Sequence, residues 1–503
     1  MSRPYKHFAL LLSLLAPLSA QSQATASASS AGYAIADQVV DEFRLDAHIP
    51  GIAYGIVEGG RLVHVGTFGV QDTESGRLVT ADTLFRIASM TKAFTALTIL
   101  KLRDEKLLQL DSPASQYVPE MSTWKYPTDD SPQIRVRDLL NHTGGFVSDD
   151  PWGDRQTPLP EAEFTRLLRD GVSFTSVPET RYEYSNLGYA ILGRIITNVS
   201  RKPYPETITR TLLQPLGMTS SGFVADDAPP AQRALGYRWE DDAWRAEPTL
   251  GPGAFGAMGG LQTNVHDYAK WVAFLLSAWP PRNGNDNGPV RRATVRELVQ
   301  GSNFPRLRNR AARSGTPASR QSAAYGMGWQ VAIDDDLGFT ASHNGGYPGY
   351  GSHVLLLPDR GIGIFAFANR TYAGPSVAVW DAAIALNKVG LLGKDRELPI
   401  DAQLAAAYRW AGEMYEAGDV AVAREQLAMN FLLDRDAEGW SRDLAKLKAQ
   451  VGECDTAAPV KPTGIQSGEF TWPCTHGRIK GSLALSPTRP ALIQEWQLEP
   501  IVP

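Results

Sequence analysis

Two hairpin patterns set far apart in the chain constrain its fold more than any other feature. "GIAYGIVEGGRLVHVGTFGVQD", residues 51–72, reads as two strands around a turn at Glu58-Gly59-Gly60-Arg61. "GSHVLLLPDRGIGIFAFANR", residues 351–370, repeats the pattern around Pro358-Asp359-Arg360-Gly361. Between them, residues 91–106, 134–140, 161–170, 187–197 and 265–276 read as helices, and another helix, 33–47, precedes the first hairpin. Strands at both ends with helices in the middle predict an α/β fold, an antiparallel sheet joined through a large helical insertion.

The chain has 503 residues, more than one typical domain, and its character changes at Pro399. Residues 401–429 and 437–450 are helix-patterned, and 460–498 are Pro-rich and strand-like. The expected organisation is a main domain over 32–395 and a small helical, then β, appendage over 399–503. Acidic and basic residues number 54 and 49, with a formal charge of -5 and no long run of one sign, which gives no reason to expect nucleic acid as a partner.

Arg3 and Lys6 precede an apolar run over 8–18, and small residues follow with cleavage points after Ala20, Ala24 or Ala26. About 11 apolar residues fall short of the roughly 20 that span a bilayer. The pattern is that of a secretory leader, set at 1–24, and no other segment is apolar enough to cross a membrane. The expected address is the periplasm or the exterior, with a disordered Ser/Ala-rich tail over 21–31. In an exported chain, the two cysteines, Cys454 and Cys474, favour a disulfide over two buried thiols.

In "LFRIASMTKAFTALTIL", residues 84–100, Ser89 and Lys92 stand one helical turn apart at a helix start. Residues i and i+3 share a face, so the lysine amine can reach the serine hydroxyl, and a helix N-terminus favours a developing alkoxide. A plain N-cap is the competing reading of Ser89. The letters alone decide nothing, because Ser122 and Lys125 repeat the spacing in the polar loop "PEMSTWKYPTDD". Two further motifs supply partners. Tyr184-Ser185-Asn186, in "RYEYSNLGYAILGRII", sits just before a helix; the tyrosine can share a proton with Lys92, and the amide can hold Lys92 or a substrate carbonyl. His343-Asn344-Gly345-Gly346, in "ASHNGGYPGYGSHVLLL", leads into the second hairpin and leaves a strand edge open, with the Gly346 N–H available to an oxyanion.

These residues resemble the serine β-lactamases and penicillin-binding D,D-peptidases, most closely the class C β-lactamase-like branch with its esterases and D-amino-acid peptidases. Ser89-Met90-Thr91-Lys92, Tyr184-Ser185-Asn186 and His343-Asn344-Gly345 occur in the family's order, 95 and 159 residues apart. "IRVRDLLNHTGGF", "LLQPLGMTSSGF" and "GAMGGLQTNVHDYAKW" also look like the family, and the resemblance covers roughly residues 39–385. It implies an antiparallel sheet flanked by helices, a helical lobe, and a cleft between them. Ser89 would be the acylated nucleophile, with Lys92 and Tyr184 as its proton-transfer pair. Asn186 would position substrate and lysine, and the N–H groups of Ser89 and Gly346 would bind the oxyanion. His343, with Gly345 behind it, stands where true β-lactamases keep a lysine for the substrate carboxylate; a neutral imidazole binds that group less strongly.

The implied activity is an exported serine hydrolase acting on a small-molecule or peptide substrate with a reactive carbonyl, without cofactor or metal. A true class C-type β-lactamase and a non-catalytic penicillin-binding sensor are the alternatives. "His142-Thr143-Gly144" imitates the third box but follows a helix and reads as structural. Residues 251–256 fit Gly-x-Gly-x-x-Gly only by letter, since no strand precedes them and Pro252 spoils the turn; they read as a flexible loop beside the cleft. No spacing of His, Cys or Glu suggests a catalytic metal, and the oligomeric state is not readable.

Overall fold

Side-chain alternation along the hairpin strands sorts their residues into two cores, and this decides the layering. The computed structural model describes residues 20–303, 305–316 and 319–502. They fall into two compact units: the first runs up to Trp279 and resumes over Asp286–Lys394, and the second takes Pro280–Asn285 and the chain from Asp395 onward.

In the first unit, helix α1 (Ala20–Asp46) leads into strands β1 (Gly51–Glu58) and β2 (Arg61–Gly69). Gly59 and Gly60 turn the hairpin with φ of 56° and 79°, a left-handed pair that glycine adopts without steric cost. Helices α2 (Thr91–Asp104), α3 (Val136–Leu140), α4 (Glu161–Asp170), α5 (Asn186–Ser200) and α6 (Val265–Leu276) follow. The chain then runs through β3 (Arg306–Asn309), β4 (Arg320–Tyr325), β5 (Gln330–Asp334), β6 (Gly338–Tyr347), β7 (Tyr350–Leu357), β8 (Ile362–Ala368) and helix α7 (Ser376–Lys388). All eight strands form one antiparallel sheet in the order β2-β1-β8-β7-β6-β5-β4-β3. The two distant hairpins thus meet through β1 and β8, with Ile52 opposite Ala368.

Ile52, Tyr54, Ile56, Ile362 and Ile364 pack on one face under α1 and α7. Ala53, Val57, Phe365 and Phe367 point the other way, into the core built with α2, α5 and α6. Each large side chain so buried contributes roughly 1.5–3 kcal/mol of hydrophobic free energy. Helix α1 starts earlier than the sequence suggests, since the segment expected as a disordered tail over 21–31 is helical; its many alanines carry the helix upstream. Of the expected leader, residues 1–19 lie outside the described residues.

The second unit contains α8 (Ala402–Ala417), α9 (Ala437–Val451), and strands β9 (Val460–Pro462), β10 (Ser467–Cys474), β11 (Gly477–Leu485) and β12 (Ile493–Ile501) in a sheet of that order. The single helix expected over 401–429 is broken at Gly418, whose φ of 67° ends α8 in the left-handed cap that glycine favours. Trp472 and Leu404 are fully buried in this unit's own core. Among the described residues no helix is long and apolar enough to cross a membrane. Cys454 and Cys474 are joined by a disulfide across 20 residues. Replacing both by serine is expected to lower this unit's unfolding free energy by about 3 kcal/mol, read by urea titration of tryptophan fluorescence.

Candidate active site

Ser89 sits on a strained turn. Ala88, just before it, has a φ of 48°, a left-handed conformation that costs a residue with a Cβ about 1–2 kcal/mol. The turn is clamped from both sides: Ile87 N–H donates to the Leu261 carbonyl at 3.0 Å, and Ser352 Oγ donates to the Ile87 carbonyl at 2.7 Å. A one-turn 3₁₀ segment, Ala88–Met90, then runs straight into α2. The Ser89 side chain caps no helix; Lys92 Nζ donates to its Oγ at 3.0 Å, and Tyr184 lines the same cavity beside it. The look-alike Ser122 ends up exposed on a separate 3₁₀ turn, Pro119–Thr123, with Lys125 in solvent beyond it.

Lys92 has no exposed surface. Its amine also donates to Asn186 Oδ1 at 2.7 Å and to the Met258 carbonyl at 2.9 Å, so all three protons of the ammonium are placed. The Tyr184 and Tyr189 rings lie 4.9 Å and 5.4 Å from the nitrogen. Burial lowers its pKa from 10.5 to about 8, against the charges of Asp150, Asp154 and Asp149, which pull it up. In the neutral amine the two carbonyl oxygens, acceptors only, take both N–H bonds, and the lone pair is left for the Ser89 hydroxyl. The site can therefore remove a proton from Ser89.

Tyr184 stays protonated: burial first, and then the Asp150 charge, hold its phenol well above its usual range. It is a proton carrier and donor here, rather than a phenolate base. Its neighbour Ser185 caps α5 by accepting from the Gly188 N–H at 3.1 Å. Asp149 accepts from the Asn186 and Leu187 N–H groups at 2.6 Å and 2.9 Å, satisfying two orphan donors of that helix end. His142, in a left-handed conformation with φ 62°, takes the Ser185 N–H on Nδ1 at 3.1 Å and packs its ring 4.4 Å from that of Tyr184. It holds the Tyr184 loop in place, a structural role beside the site.

Strand β6 stays paired with β7 through Tyr347 but loses β5 after Ser342, opposite Gln330. Past that point its other edge is open, and His343, Asn344 and Gly346 line a cavity of about 520 Å³ together with Ser89 and Tyr184. His343 Nδ1 lies 2.6 Å from the Asn344 carbonyl, and Nε2 lies 2.9 Å from the Tyr325 hydroxyl. A carbonyl only accepts, so Nδ1 carries the proton and Nε2 accepts from the tyrosine. Burial, with the Lys92 charge, lowers the His343 pKa to about 3. The imidazole is neutral with both nitrogens engaged, and the expectation that it meets a substrate carboxylate finds no free N–H. Gly345 does not line the cavity: a Cβ there would stand 2.0 Å from Ser352 Oγ and 2.4 Å from the Ile87 carbonyl, so it lets β6 lie against the Ser89 turn.

The structure thus brings Ser89, Lys92, Tyr184, Asn186, His343 and Gly346 to one place. Sequence reasoning missed the Met258 carbonyl, the carboxylates Asp150 and Asp154 in the cavity lining with Asp149 behind them, and Tyr372, which lines the cavity beside Asp154. The segment expected as a flexible loop over 251–256 is instead packed. A Cβ on Gly253 would stand 2.5 Å from the Thr157 carbonyl, Phe255 is fully buried, and the turn Gly256–Gly259 that follows presents Met258 to Lys92.

A family model described as Beta-lactamase matches residues 36–388. The "Protein flp" of Staphylococcus aureus (strain N315) is 30% identical over 340 residues, 66% of this chain and 62% of that protein. The match thus spans less than two thirds of that relative's length. The "Unguisins hydrolase ungD'" of Aspergillus campestris is 26% identical over 341 residues, 65% of this chain and 59% of that protein. An octameric penicillin-binding protein homologue from Pyrococcus abyssi shares the fold at a TM-score of 0.58 and 20% identity, over 93% of this chain and 99% of that one.

The fit at Gly345 gives a direct check on the geometry. Gly345→Ala is expected to cost about 1–3 kcal/mol by overpacking, measured by calorimetry, and to lower the reactivity of Ser89 toward a fluorophosphonate probe.

Proposed function

Because the chain belongs to the beta-lactamase family of serine hydrolases, we propose that it cleaves an ester or amide through an acyl-enzyme on Ser89. The observation that carries this reading is the buried amine of Lys92 on Ser89 Oγ, with its other two hydrogen bonds taken by carbonyl oxygens. Neutral Lys92 takes the Ser89 proton as Oγ attacks the substrate carbonyl. The oxyanion forms against the N–H groups of Ser89 and Gly346, each such donor being worth about 3 kcal/mol of the barrier. Tyr184, which lines the cavity beside Ser89 and is kept as a phenol, passes a proton to the departing alcohol or amine and is refilled from Lys92. A water that gives its proton to the same pair then releases the acid and restores Ser89.

The name of the fungal relative, a hydrolase, supports turnover over a sensing role. A neutral His343 with both nitrogens engaged favours esters and peptides over the carboxylate-bearing β-lactams of a class C-type enzyme. The leader pattern and the disulfide support work in the periplasm or outside the cell, since disulfides persist in oxidising compartments.

Ser89→Ala is expected to abolish hydrolysis of p-nitrophenyl butyrate and the mass adduct with a fluorophosphonate; turnover that survives the substitution refutes the nucleophile. The pH profile tests the base. Lys92 has its pKa lowered to about 8, so the active, neutral fraction falls about tenfold per pH unit below that value and levels off above it. Accordingly, kcat/KM for the butyrate ester should rise from pH 6 to about 8 and then reach a plateau.

A further inference from the structure

The β5 and β6 side of the cavity carries two side-chain amides that the hydrolytic steps leave unused. Gln330 and Asn344 both line it together with Ser89. Gln330 opens β5 directly opposite Ser342, and Asn344 lies two residues further along β6, so the two side chains stand on one face of the sheet. Which end each amide offers to the cavity depends on what holds its other end.

For Gln330, a chain of bonds across three strands decides this. Arg308 of β3 pairs with Gln321 of β4, which pairs in turn with Asp334 of β5. The Asp334 carboxylate accepts from Gln321 Nε2 at 2.9 Å. That turns Gln321 Oε1 toward Arg308, whose Nε donates to it at 2.9 Å. A guanidinium only donates, so Arg308 Nη1 donates to Gln330 Oε1 and the Gln330 nitrogen is left over. Asn344 is set from β7. His353, directly opposite it and only 2% exposed, has Nδ1 at 2.6 Å from Asn344 Oδ1, while its Nε2 is buried and has no partner among the described residues. A buried N–H without an acceptor is rarer than an unused acceptor, so the proton sits on Nδ1 and is donated to the amide oxygen. Among the described residues neither amide nitrogen has a partner. With both oxygens engaged from behind, each amide offers the cavity only its N–H donors.

Resting on the hydrolase reading above, we propose that Gln330 and Asn344 form a subsite for a second, neutral carbonyl of the substrate flanking the scissile bond, with Arg308 and His353 as positioning residues. A donor-only surface binds acceptor oxygens. Among the described residues no lysine or arginine lines the cavity to favour a carboxylate, and Asp150 and Asp154 line it too. An anion would bind against their charge, whereas an amide oxygen would not. The Arg308 charge behind Gln330 polarises its amide and strengthens the N–H donors. An acyl amino acid or peptide thus gains hydrogen bonds that a simple alkyl ester cannot make.

Isosteric pairs test this on the full-length protein. N-acetylglycine p-nitrophenyl ester is compared with the pentanoate, in which two methylenes replace the amide; glycolamide butyrate and isobutyl butyrate place the same contrast on the leaving group. After correction for spontaneous hydrolysis, the amide member of at least one pair is expected to show a kcat/KM about tenfold higher. Gln330→Leu and Asn344→Leu should each bring that ratio toward one, and each stands in for the other if one fails to fold. Arg308→Met and His353→Phe should raise KM for the amide member with little change in its kcat, and Arg308→Lys should restore part of the loss; a merely structural role would slow both members alike. Ratios near one in the unsubstituted protein, ratios that survive both leucine variants, or a stronger preference for mono-p-nitrophenyl adipate overturn the proposal. Butyrate turnover that persists without Ser89 overturns the hydrolase reading alone.

Discussion

A lysine without exposed surface is a costly group to bury, and the helical lobe is arranged around it. Removing an ammonium from water carries an effective penalty of several kcal/mol, which only close, correctly aimed acceptors offset. Three separate stretches supply them: the turn at Ser89, the first residue of α5 through Asn186, and the turn Gly256–Gly259 through Met258. Each is held by bonds of its own. Asp149 and Ser185 tie down the start of α5, and Thr95 Oγ1 donates to the Ala257 carbonyl at 2.7 Å, locking that turn to α2. The same burial that costs stability brings the amine near neutrality at working pH, so one desolvation term serves both order and chemistry.

The second constraint is closeness. The Ser89 turn lies in the angle between α2 and strands β6 and β7, where backbone meets backbone. Gly345 has no Cβ because the Ile87 carbonyl and Ser352 occupy that space, and Ala88 accepts a left-handed φ because the Leu261 and Ser352 bonds flank it at Ile87. Strain of this kind persists only where neighbours over-determine the conformation. Here it points the Ser89 hydroxyl at the cavity rather than at a helix end, which is why the residue does not act as the cap its position suggests.

Residues whose roles are local, or set by spacing along one element, were legible in the sequence. Ser89 and Lys92 share a helix face, Tyr184 and Asn186 flank a helix start, and the bounds of α4 and α6 follow from apolar periodicity alone. The two hairpins gave four of the eight strands of the sheet, β1, β2, β7 and β8, while β3 to β6 lie in the stretch read as helix or loop. What could not be read depends on where distant segments meet. Every residue owns a carbonyl, so nothing in "GAMGG" singles out that of Met258. Asp150, Asp154 and Tyr372 matter through a cavity formed by segments more than 200 residues apart in number. The letters at 343 showed that a lysine was replaced by a histidine. They could not show that Tyr325 and the Asn344 carbonyl would occupy both ring nitrogens.

That last point links two sequence choices that look independent. A cation at position 343 would add to burial in lowering the Lys92 pKa, and three nearby carboxylates would then be needed to hold the lysine in range. Here the imidazole is buried and uncharged, so burial of Lys92 alone opposes the charges of Asp150, Asp154 and Asp149. The result is a base near pH 8 in a cavity that Asp150 and Asp154 also line. A bound anion would add to the field that raises Lys92, stabilise its ammonium and disarm it; a bound cation would do the reverse. The histidine at 343 and the carboxylates near Lys92 thus act on the same base through one field.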